Sequence, residues 1–402
     1  MMQQSLGNFF SEYIGKKSIF KNKAIIQSTH LPVTLLHRDE QINTLAQILA
    51  PTLRNEKPSN VFLYGKSGTG KTATVRYVIQ ELEKITSSKN IPLKIVYINC
   101  KLKRVADTEY RLLAELNRAF NTSIPATGLP TDEVYRIFVH SVQKENKAII
   151  LVLDEIDQLV KKIGDGFLYS LTRLNESTQG NTISIVGVSN DLVFMDLLDS
   201  RIKSSLSEEE IIFPPYNALQ IQDILIARTI EAFREGTIEE GVIEKTAAYA
   251  AREHGDARRA LELLRVAAEI AERNGFTNIS TRHIDEAEEK IERDRVLEIL
   301  ATQPKQFQAT LYSILTHPSK NNSKLYTGDI YELYRHICKR TGLKPLTQRR
   351  ISDILGELDT LGIINARVIS KGRYGRTREI VLATPSTLTP KIRRILEESL
   401  EI

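Results

Sequence analysis

The eight residues Gly65–Thr72 constrain the fold of this chain more than any other segment. They read GKSGTGKT and match the pattern G-x-x-x-x-G-K-[ST] at every fixed position. A short apolar stretch, Val61–Tyr64, precedes them, and apolar residues at helical spacing follow from Val75 to Ile85. In a strand–loop–helix context, such a loop turns its backbone N–H groups and the dipole of the following helix toward phosphate oxygens. The segment therefore predicts a nucleotide-binding site at the start of an α/β domain.

Two residues of this loop are expected to make different contacts with a bound nucleotide and its metal ion. Lys71 is expected to reach the β- and γ-phosphates, and the Thr72 hydroxyl is expected to bind Mg²⁺. We therefore predict ATP or ADP, with Mg²⁺, as the cofactor. The residues of this loop expected to bind the nucleotide are Gly68, Thr69, Gly70, Lys71, Thr72 and Ala73.

The composition limits the class of protein. A chain of 402 residues suggests two or three domains of about 100–200 residues each. It has no run of about 18 apolar residues, so no membrane span is predicted, and its first residues lack the basic and apolar segments of a secretory signal. Cys100 and Cys338 are too few and too far apart to indicate a disulfide framework or a zinc site. A reducing cytoplasmic setting is the resulting expectation.

Positive charge is concentrated at the C-terminal end of the chain, although the whole chain has a net charge of only +5. From Val296 to Ile402 there are 17 Lys and Arg against 10 Asp and Glu, an excess of +7, so the preceding residues together carry −2. A basic segment attached to a nearly neutral body predicts a polyanionic partner at that end.

Four apolar stretches separated by helical patterns predict the sheet of the α/β domain. Such β-branched runs are typical of parallel strands that are buried on both faces. The predicted fold class is therefore a doubly wound P-loop α/β domain with a parallel sheet. The four strand candidates are Val61–Tyr64, Lys94–Asn99, Ala148–Leu153 and Thr182–Ser189.

Shifts in composition divide the chain into four segments. Residues 1–30 are polar and are predicted to form an arm that packs on the body, and 31–212 are predicted to form the nucleotide-binding domain. A Pro-Pro pair marks the next boundary, after which 213–295 show only helical patterns and predict an all-α lid. The last segment, 296–402, is predicted to be a winged-helix domain.

The winged helix is predicted from three helices followed by a two-stranded hairpin. The helices are predicted at 307–315, 329–339 and 348–361, and the strands at 364–370 and 378–383. In this arrangement the third helix suits a major groove, and the hairpin suits the DNA backbone or a minor groove. The alternative for the hairpin is a solvated loop with incidental charge. The residues predicted to contact DNA here are Thr347, Gln348, Arg349, Arg350, Arg373, Tyr374 and Arg376.

Polar residues at two predicted strand ends suit the hydrolysis of a nucleotide. Asp154 and Glu155 follow the strand at 148–153, and the carboxyl ends of parallel strands are where such sheets present ligand-binding residues. Asp154 is expected to hold Mg²⁺, directly or through a water molecule, together with Thr72, and Glu155 is expected to polarise an attacking water. Asn190 ends the fourth strand and could orient the same water or touch the γ-phosphate, or it could instead cap a helix.

Arginines occur at unusual places in and before the predicted lid. Arg258 and Arg259 open a predicted helix directly after a Gly-Asp turn. Positive charge at a helix start opposes the helix macrodipole, so a phosphate partner would explain these residues better than helix propensity does. Arg201 precedes the domain boundary and, taken alone, looks like a surface arginine.

Together these motifs resemble the AAA+ ATPases and, among them, the archaeal origin-recognition and helicase-loader family. The resemblance covers about residues 31–383. A Gly-Asp-Ala-Arg motif at 255–258 and the winged helix make it more specific than a P-loop alone. It implies that Asn190 is a first sensor and Arg258 a second sensor. It also implies that Arg201 is an arginine finger that acts on a neighbouring subunit's nucleotide.

The resemblance implies further contacts outside these motifs. Tyr216 and Arg228 fall at positions that the family places near the nucleotide, and Leu31 and Pro32 fall where its N-terminal segment contacts adenine. The basic segment 101–118 falls where initiators of this family carry a helical insertion that contacts DNA. The residues carried over from this insertion are Lys103 and Arg104.

The implied function is that of an ATP-dependent replication initiator. It would bind duplex origin DNA and other copies or paralogues of itself, and would help to recruit or load the replicative helicase. Its ATPase is expected to be weak and to act as a switch. A nucleotide-gated winged-helix transcription regulator and a clamp-loader-like AAA+ machine are the alternatives. The winged helix argues against the latter, because loading a ring on DNA junctions does not require a DNA sequence to be read.

Overall fold

The computed structural model describes residues 17–27, 30–101, 107–125, 128–145, 147–177, 182–206, 208–317, 325–370, 376–383 and 388–402. The chain forms two compact units, one ending at Ile284 and the other spanning Asp285–Ile402. No helix in these ranges combines the length and the apolar character needed to cross a membrane.

A five-stranded parallel sheet forms the centre of the first unit. Its strands are β1 (Asn60–Tyr64), β2 (Leu93–Asn99), β3 (Ala148–Asp154), β4 (Ile183–Ser189) and β5 (Glu208–Ile212). The strand order is β2-β3-β4-β1-β5, and every pairing is parallel. All residues of β1, β3 and β4 are buried, which is why these strands are continuous apolar runs in the sequence. The predicted fold class is confirmed.

Strand β5 was not among the four predicted strands. Its sequence, EEEII, lacks the apolar run of a central strand, and of its five residues only Ile211 is buried. It pairs with β1 alone, at the edge of the sheet. An edge strand keeps much of its surface in solvent, so glutamates are tolerated there and the hydrophobic pattern fails to mark it.

Helices cover both faces of the sheet. Phe62 and Tyr64 of β1 enter one hydrophobic core, and Val61 and Leu63 enter the other, because successive side chains of a strand point to opposite faces. The insertion predicted between β2 and β3 contains the helix Glu109–Ala119. Its predicted DNA contacts, Lys103 and Arg104, lie outside the described residues. The helices are α1 (Asp39–Leu49), α2 (Lys71–Lys89), α3 (Glu109–Ala119), α4 (Thr131–Glu145), α5 (Ile156–Ile163), α6 (Gly166–Ser177) and α7 (Ser200–Leu206).

A helical lid follows the sheet in the same unit. It contains α8 (Ala218–Ala232), α9 (Val242–Arg252), α10 (Ala257–Arg273) and the first residues of α11 (Thr281–Thr302). Asn217 and Gln220 form a reciprocal capping box that fixes the start of α8. Residues 213–217 are therefore a defined linker between the sheet and the lid.

The N-terminal segment 17–27 packs against the lid. The Phe20 ring stacks on Phe233 with 5.0 Å between ring centroids. A carboxylate oxygen of Glu272 accepts hydrogen bonds from the Ser18 hydroxyl at 2.6 Å and from the Ile19 N–H at 2.7 Å. The arm predicted at residues 1–30 is thus attached to the lid in its described part, while residues 1–16, 28 and 29 lie outside the described residues.

The second unit contains the predicted helices and hairpin strands, each within two residues of its predicted ends. A two-residue strand and a final helix were not predicted, although Leu396 of that helix is fully buried in the core. The three strands form an antiparallel sheet of order β6-β8-β7. The elements after α11 are α12 (Lys305–Thr316), β6 (Leu325–Tyr326), α13 (Thr327–Thr341), α14 (Gln348–Thr360), β7 (Ile364–Ser370), β8 (Arg376–Leu382) and α15 (Thr389–Leu400).

Candidate nucleotide site and DNA-facing helix

A cavity of about 470 Å³ lies where the P-loop, the ends of β2 and β3, the N-terminal segment and the lid meet. This volume falls within the usual range of small-molecule sites. Residues from five separate parts of the first unit line it, and many of them are residues singled out in the sequence. The predicted residues that line the cavity are Leu31, Pro32, Gly68, Gly70, Thr72, Ala73, Asp154, Glu155, Tyr216, Arg228 and Arg258.

Lys71 is buried beneath the P-loop. Its Nζ donates hydrogen bonds to the carbonyl oxygens of Gly65 at 2.7 Å and Lys66 at 2.8 Å. The Thr69 hydroxyl also donates to the Lys66 carbonyl, at 2.9 Å. Burial, and then the charge of Arg258, lower the pKa of Lys71 to about 8, against the opposing effect of Asp154. A nucleotide phosphate would therefore replace carbonyl partners and add a charge that favours the ammonium form.

The Asp154 carboxylate is buried at the end of β3 and accepts several hydrogen bonds. The Thr72 hydroxyl lies 3.3 and 3.2 Å from its two oxygens, the Glu155 N–H lies 3.1 Å from Oδ1, and the Tyr97 hydroxyl lies 2.5 Å from Oδ2. In the described part of the chain no Lys or Arg is within ion-pair distance of this carboxylate. A hydroxyl beside a buried carboxylate without such an ion pair is the kind of oxygen donor set that Mg²⁺ takes together with nucleotide phosphates. Thr72 and Asp154 therefore fit the predicted ion.

Glu155 and Asn190 follow β3 and β4 but differ in position. Glu155 lines the cavity in a left-handed backbone conformation, with φ of 56°, and its Oε2 is 3.6 Å from Lys101 Nζ. Asn190 is exposed and does not line the cavity; its backbone N–H is 3.4 Å from Asp157 Oδ1. The alternative that Asn190 caps a helix is wrong, because Val193 is the N-cap of the short 3₁₀ helix that follows.

The lid closes the cavity at the start of α10. The Asp256 carboxylate caps this helix by accepting from the Arg258 N–H at 2.8 Å, and the Ala257 N–H is 3.3 Å from the Gly68 carbonyl oxygen. Arg258 lines the cavity, and its contact with a phosphate stays a prediction. Arg259 instead forms an ion pair with Glu253 at 3.1 Å. Its place at the helix start is therefore explained within the lid and needs no phosphate.

Arg38 is a buried cation that the sequence reasoning missed. Its side chain is 2% exposed, and burial lowers its pKa. Nε donates to the Thr69 carbonyl at 2.8 Å, and a terminal nitrogen donates to the Pro214 carbonyl at 2.6 Å. The guanidinium carbon lies 3.8 Å from the centroid of the Tyr216 ring. Arg38 therefore joins the P-loop to the linker, and the signal that marked Arg258, an arginine at a helix start, could have found it.

We call residues 30–38 the strap, since they run from the segment on the lid to the start of α1. Leu31 and Pro32 of the strap line the cavity, and their contact with adenine stays a prediction. Arg228 of α8 also lines it, but its terminal nitrogens donate to the backbone carbonyls of Ile25 at 3.2 Å and His30 at 3.0 Å. In this structure Arg228 therefore holds the strap against the lid.

Arg201 is the second residue of α7 and does not line the cavity. Its side chain is 82% exposed, and Nε and a terminal nitrogen each lie 3.1 Å from a different oxygen of Asp199. This two-point contact holds the guanidinium at the surface.

In the second unit, Gln348, Arg349 and Arg350 are exposed in the first turn of α14. The Thr347 hydroxyl caps this helix by accepting a hydrogen bond from the Arg350 N–H. Thr347, which was predicted to contact DNA, therefore has a structural role. Arg350 is 3.7 Å from Asp353. The prediction for Arg373 and Tyr374 lies outside the described residues, as does the side chain of Arg376. Arg378 of β8 was not among the predicted contacts, and its guanidinium lies so close to Gly356 of α14 that a Cβ on Gly356 would be 3.1 Å from it.

Three family models match successive parts of the chain. An AAA ATPase domain matches residues 34–185, and a Cdc6 AAA+ ATPase-type lid domain matches residues 222–289. A model described as CDC6, C terminal winged helix domain, matches residues 298–389.

The chain is also similar to several proteins over nearly its whole length. The ORC1-type DNA replication protein of Thermococcus onnurineus is 50% identical over 381 residues, which are 94% of this chain and 91% of that protein. ORC1-type DNA replication protein 1 of Methanosarcina mazei is 51% identical over 391 residues, which are 97% and 94% of the two chains. A solved structure of the Aeropyrum pernix ORC1 protein in complex with DNA is 42% identical with a TM-score of 0.81, covering 95% of this chain and 98% of that chain.

Proposed function

The chain belongs to the family of ORC1-type DNA replication proteins, and from this membership we propose that it is an ATP-dependent initiator that binds duplex origin DNA. The observation that carries the proposal is the cavity, which gathers the P-loop, Asp154, the strap and the lid arginine Arg258 around one space. Because the walls come from both the sheet and the lid, the identity of a bound nucleotide can change the position of one relative to the other.

Nucleotide binding is assigned to residues of the first unit. The P-loop N–H groups and Lys71 bind the phosphates, and Leu31 and Pro32 of the strap contact the base. Thr72 and Asp154 hold Mg²⁺, which neutralises phosphate charge when it is bound. Glu155 orients and polarises the attacking water, with Asn190 as a first sensor.

Two arginines are assigned to respond to whether ATP or ADP is bound. Arg258 responds to it from the lid, while Arg201 acts as an arginine finger on the nucleotide of a neighbouring copy. The exposed position of Arg201 supports a role outside its own cavity. A switch of this kind depends on the lifetime of its ATP state, so we expect slow hydrolysis.

DNA binding is assigned chiefly to the winged helix. Gln348, Arg349 and Arg350 in the first turn of α14 suit base edges or phosphates, and Arg373, Tyr374 and Arg376 suit the DNA backbone or a minor groove. Lys103 and Arg104 of the insertion are the second proposed contact. The DNA complex of the Aeropyrum pernix ORC1 protein, at 42% identity, supports the proposal that this chain binds DNA.

The proposed partners are origin DNA, other copies or paralogues of the initiator, and the replicative helicase. Genome-wide mapping of bound sites, set against mapped replication starts, tests the proposal. We expect binding at sites beside replication starts, and duplex affinity that differs between the ATP-bound and ADP-bound protein. Sites scattered over promoters would instead identify a nucleotide-gated transcription regulator with the same winged helix.

A further inference from the structure

Tyr97 contacts the nucleotide site although no motif marks it. It lies in β2, whose parallel pairing with β3 sets Tyr97 opposite Val152 and Asn99 opposite Asp154. Tyr97 and Asn99 are two residues apart, as are Val152 and Asp154, so Tyr97 and Asp154 lie on the same face of the sheet. The Tyr97 hydroxyl donates to Asp154 Oδ2 at 2.5 Å.

A second contact orients this hydroxyl. A phenol has one proton, and in Tyr97 it is directed to Asp154, so the oxygen is left to accept. Arg76 supplies the donor: its terminal nitrogen is 3.4 Å from the Tyr97 oxygen, and its guanidinium carbon lies 5.0 Å from the ring centroid. Arg76 is four residues after Thr72 on α2 and therefore on the same side of that helix.

The hydrogen bonds on Asp154 come from two directions. The Glu155 N–H donates to Oδ1, whereas Tyr97 donates to Oδ2. The Thr72 hydroxyl contacts both oxygens, but as the predicted ligand of Mg²⁺ it must turn toward the ion when a nucleotide binds. Among the described residues, Tyr97 is then the side chain whose hydrogen bond still restrains the carboxylate.

We propose that Tyr97, itself held by Arg76, is a positioning residue that fixes the Asp154 carboxylate for the Mg²⁺ of a bound nucleotide. This inference rests on the proposed function, since it concerns the same cavity. Groups that orient a metal-binding carboxylate are worth about 10- to 100-fold in metal affinity. Loss of the hydroxyl should therefore affect the Mg²⁺-dependent part of nucleotide binding and leave the Mg²⁺-free part unchanged.

The test is Tyr97→Phe in the full chain, with nucleotide affinity measured by calorimetry in excess chelator and across a Mg²⁺ titration. We expect affinity without Mg²⁺ to stay within about twofold of the unmodified protein. The Mg²⁺ concentration for half-maximal effect should rise about 10- to 100-fold. An unchanged Mg²⁺ requirement, or an equal loss of affinity with and without Mg²⁺, would overturn the inference.

Tyr135→Phe is the matched control. Tyr135 is a half-buried tyrosine of the same unit whose hydroxyl donates to the Ser170 carbonyl at 3.2 Å, and it does not line the cavity. This change removes a tyrosine hydroxyl bond without touching Asp154, so the Mg²⁺ requirement should stay the same. A matching rise in Tyr135→Phe would show that the effect of Tyr97→Phe is a general loss of packing and would overturn the inference.

Arg76→Gln keeps the test decisive if Tyr97→Phe does not fold, because Arg76, although it also lines the cavity, is exposed and its replacement should preserve the core. We expect a smaller rise in the Mg²⁺ requirement. Equal weakening with and without Mg²⁺ would mean that Arg76 contacts the nucleotide directly and would refute its role in holding Tyr97. If the unmodified protein bound no nucleotide in either condition, the proposed function would fail instead.

Discussion

The nucleotide cavity and helix α14 both depend on positive side chains but hold them differently. Around the nucleotide site, Lys71, Arg38 and Arg228 are buried, and their nitrogens donate to backbone carbonyl oxygens, which for Arg38 and Arg228 belong to segments distant in sequence. On α14, Arg349 and Arg350 are exposed, and the contact of Arg350 is with Asp353 one turn away. A buried cation is costly unless its donors are satisfied, whereas an exposed one stays hydrated.

The two regions differ in whether their positive side chains are available to bind a phosphate. The donors of Arg38 and Arg228 already have partners, so these arginines keep the cavity in shape. Lys71 has to exchange carbonyl partners for phosphate oxygens. The cations of α14 can meet a phosphate by giving up only water, counterions and a weak surface contact. Changes in the cavity should therefore act through geometry, and changes on α14 through salt-dependent electrostatics.

The largest expected effect is that of Lys71→Ala. Loss of charge-assisted hydrogen bonds worth roughly 1.5–3 kcal/mol should weaken nucleotide affinity by about 10- to 150-fold. Lys84→Ala is the control, because Lys84 lies on the same helix, is 70% exposed and pairs with Glu81 at 2.7 Å. Calorimetric titration with nucleotide measures both. A loss below threefold for Lys71→Ala would show that its buried position does not serve phosphate binding.

Two glycines allow the cost of a left-handed backbone conformation to be measured with and without a steric overlap beside the cavity. Gly255 and Gly342 both have φ of +68°. A Cβ on Gly255 would lie 2.3 Å from the Tyr216 carbonyl oxygen, whereas a Cβ on Gly342 would meet nothing within 4 Å. Gly342→Ala should cost roughly 1–2 kcal/mol of stability from backbone conformation alone.

Gly255→Ala should cost about 1–3 kcal/mol more than Gly342→Ala, because the overlap forces the backbone to shift. It should also weaken nucleotide binding, since Tyr216 lines the cavity. Scanning calorimetry and nucleotide titration of both variants give the comparison. Equal destabilisation by the two substitutions, with nucleotide affinity unchanged, would show that the wall near Tyr216 is free to relax.

The smallest expected effect per substituted residue is a change in the salt dependence of DNA binding. The double change Arg373→Ala with Arg376→Ala should flatten the dependence of log affinity on log salt by about 0.9 for each lost phosphate contact. Nucleotide affinity should not change. Arg394→Ala is the control, since Arg394 is an exposed arginine of the same unit that pairs with Glu398 at 3.1 Å. A salt slope that equals that of the control would exclude the hairpin from the DNA interface.

The sequence predicts best the parts whose conformation is local. Strands β1, β3 and β4 are buried on both faces, so their apolar runs mark them without knowledge of the fold. The P-loop carries its glycines in the motif, and Gly68 and Gly70 do adopt positive φ. The edge strand β5 and the two-residue β6 lack such a signal, because pairing with a neighbour rather than their own pattern makes them strands.

The parts that could not be predicted depend on residues brought together from far apart in the chain. Arg38 contacts Pro214, and Tyr97 contacts Asp154, across 176 and 57 positions. Tyr97 is not distinctive at its place in the sequence, and although Arg38 stands at a helix start, only the packed sheet and lid supply the partners of both residues. Arg259 shows the converse: its position suggested a phosphate, but Glu253 nearby accounts for it.

The attachment of residues 17–27 to the lid has a consequence for the order in which the chain can fold during synthesis. Ser18 and its partner Glu272 are 254 positions apart, so this segment leaves the ribosome long before the helix that holds it. The sheet, whose strands lie between them, can form first, because domains generally fold as their chain emerges. Ile19 and Phe20 must meanwhile remain without their final packing partners, and a contact this distant in sequence closes late.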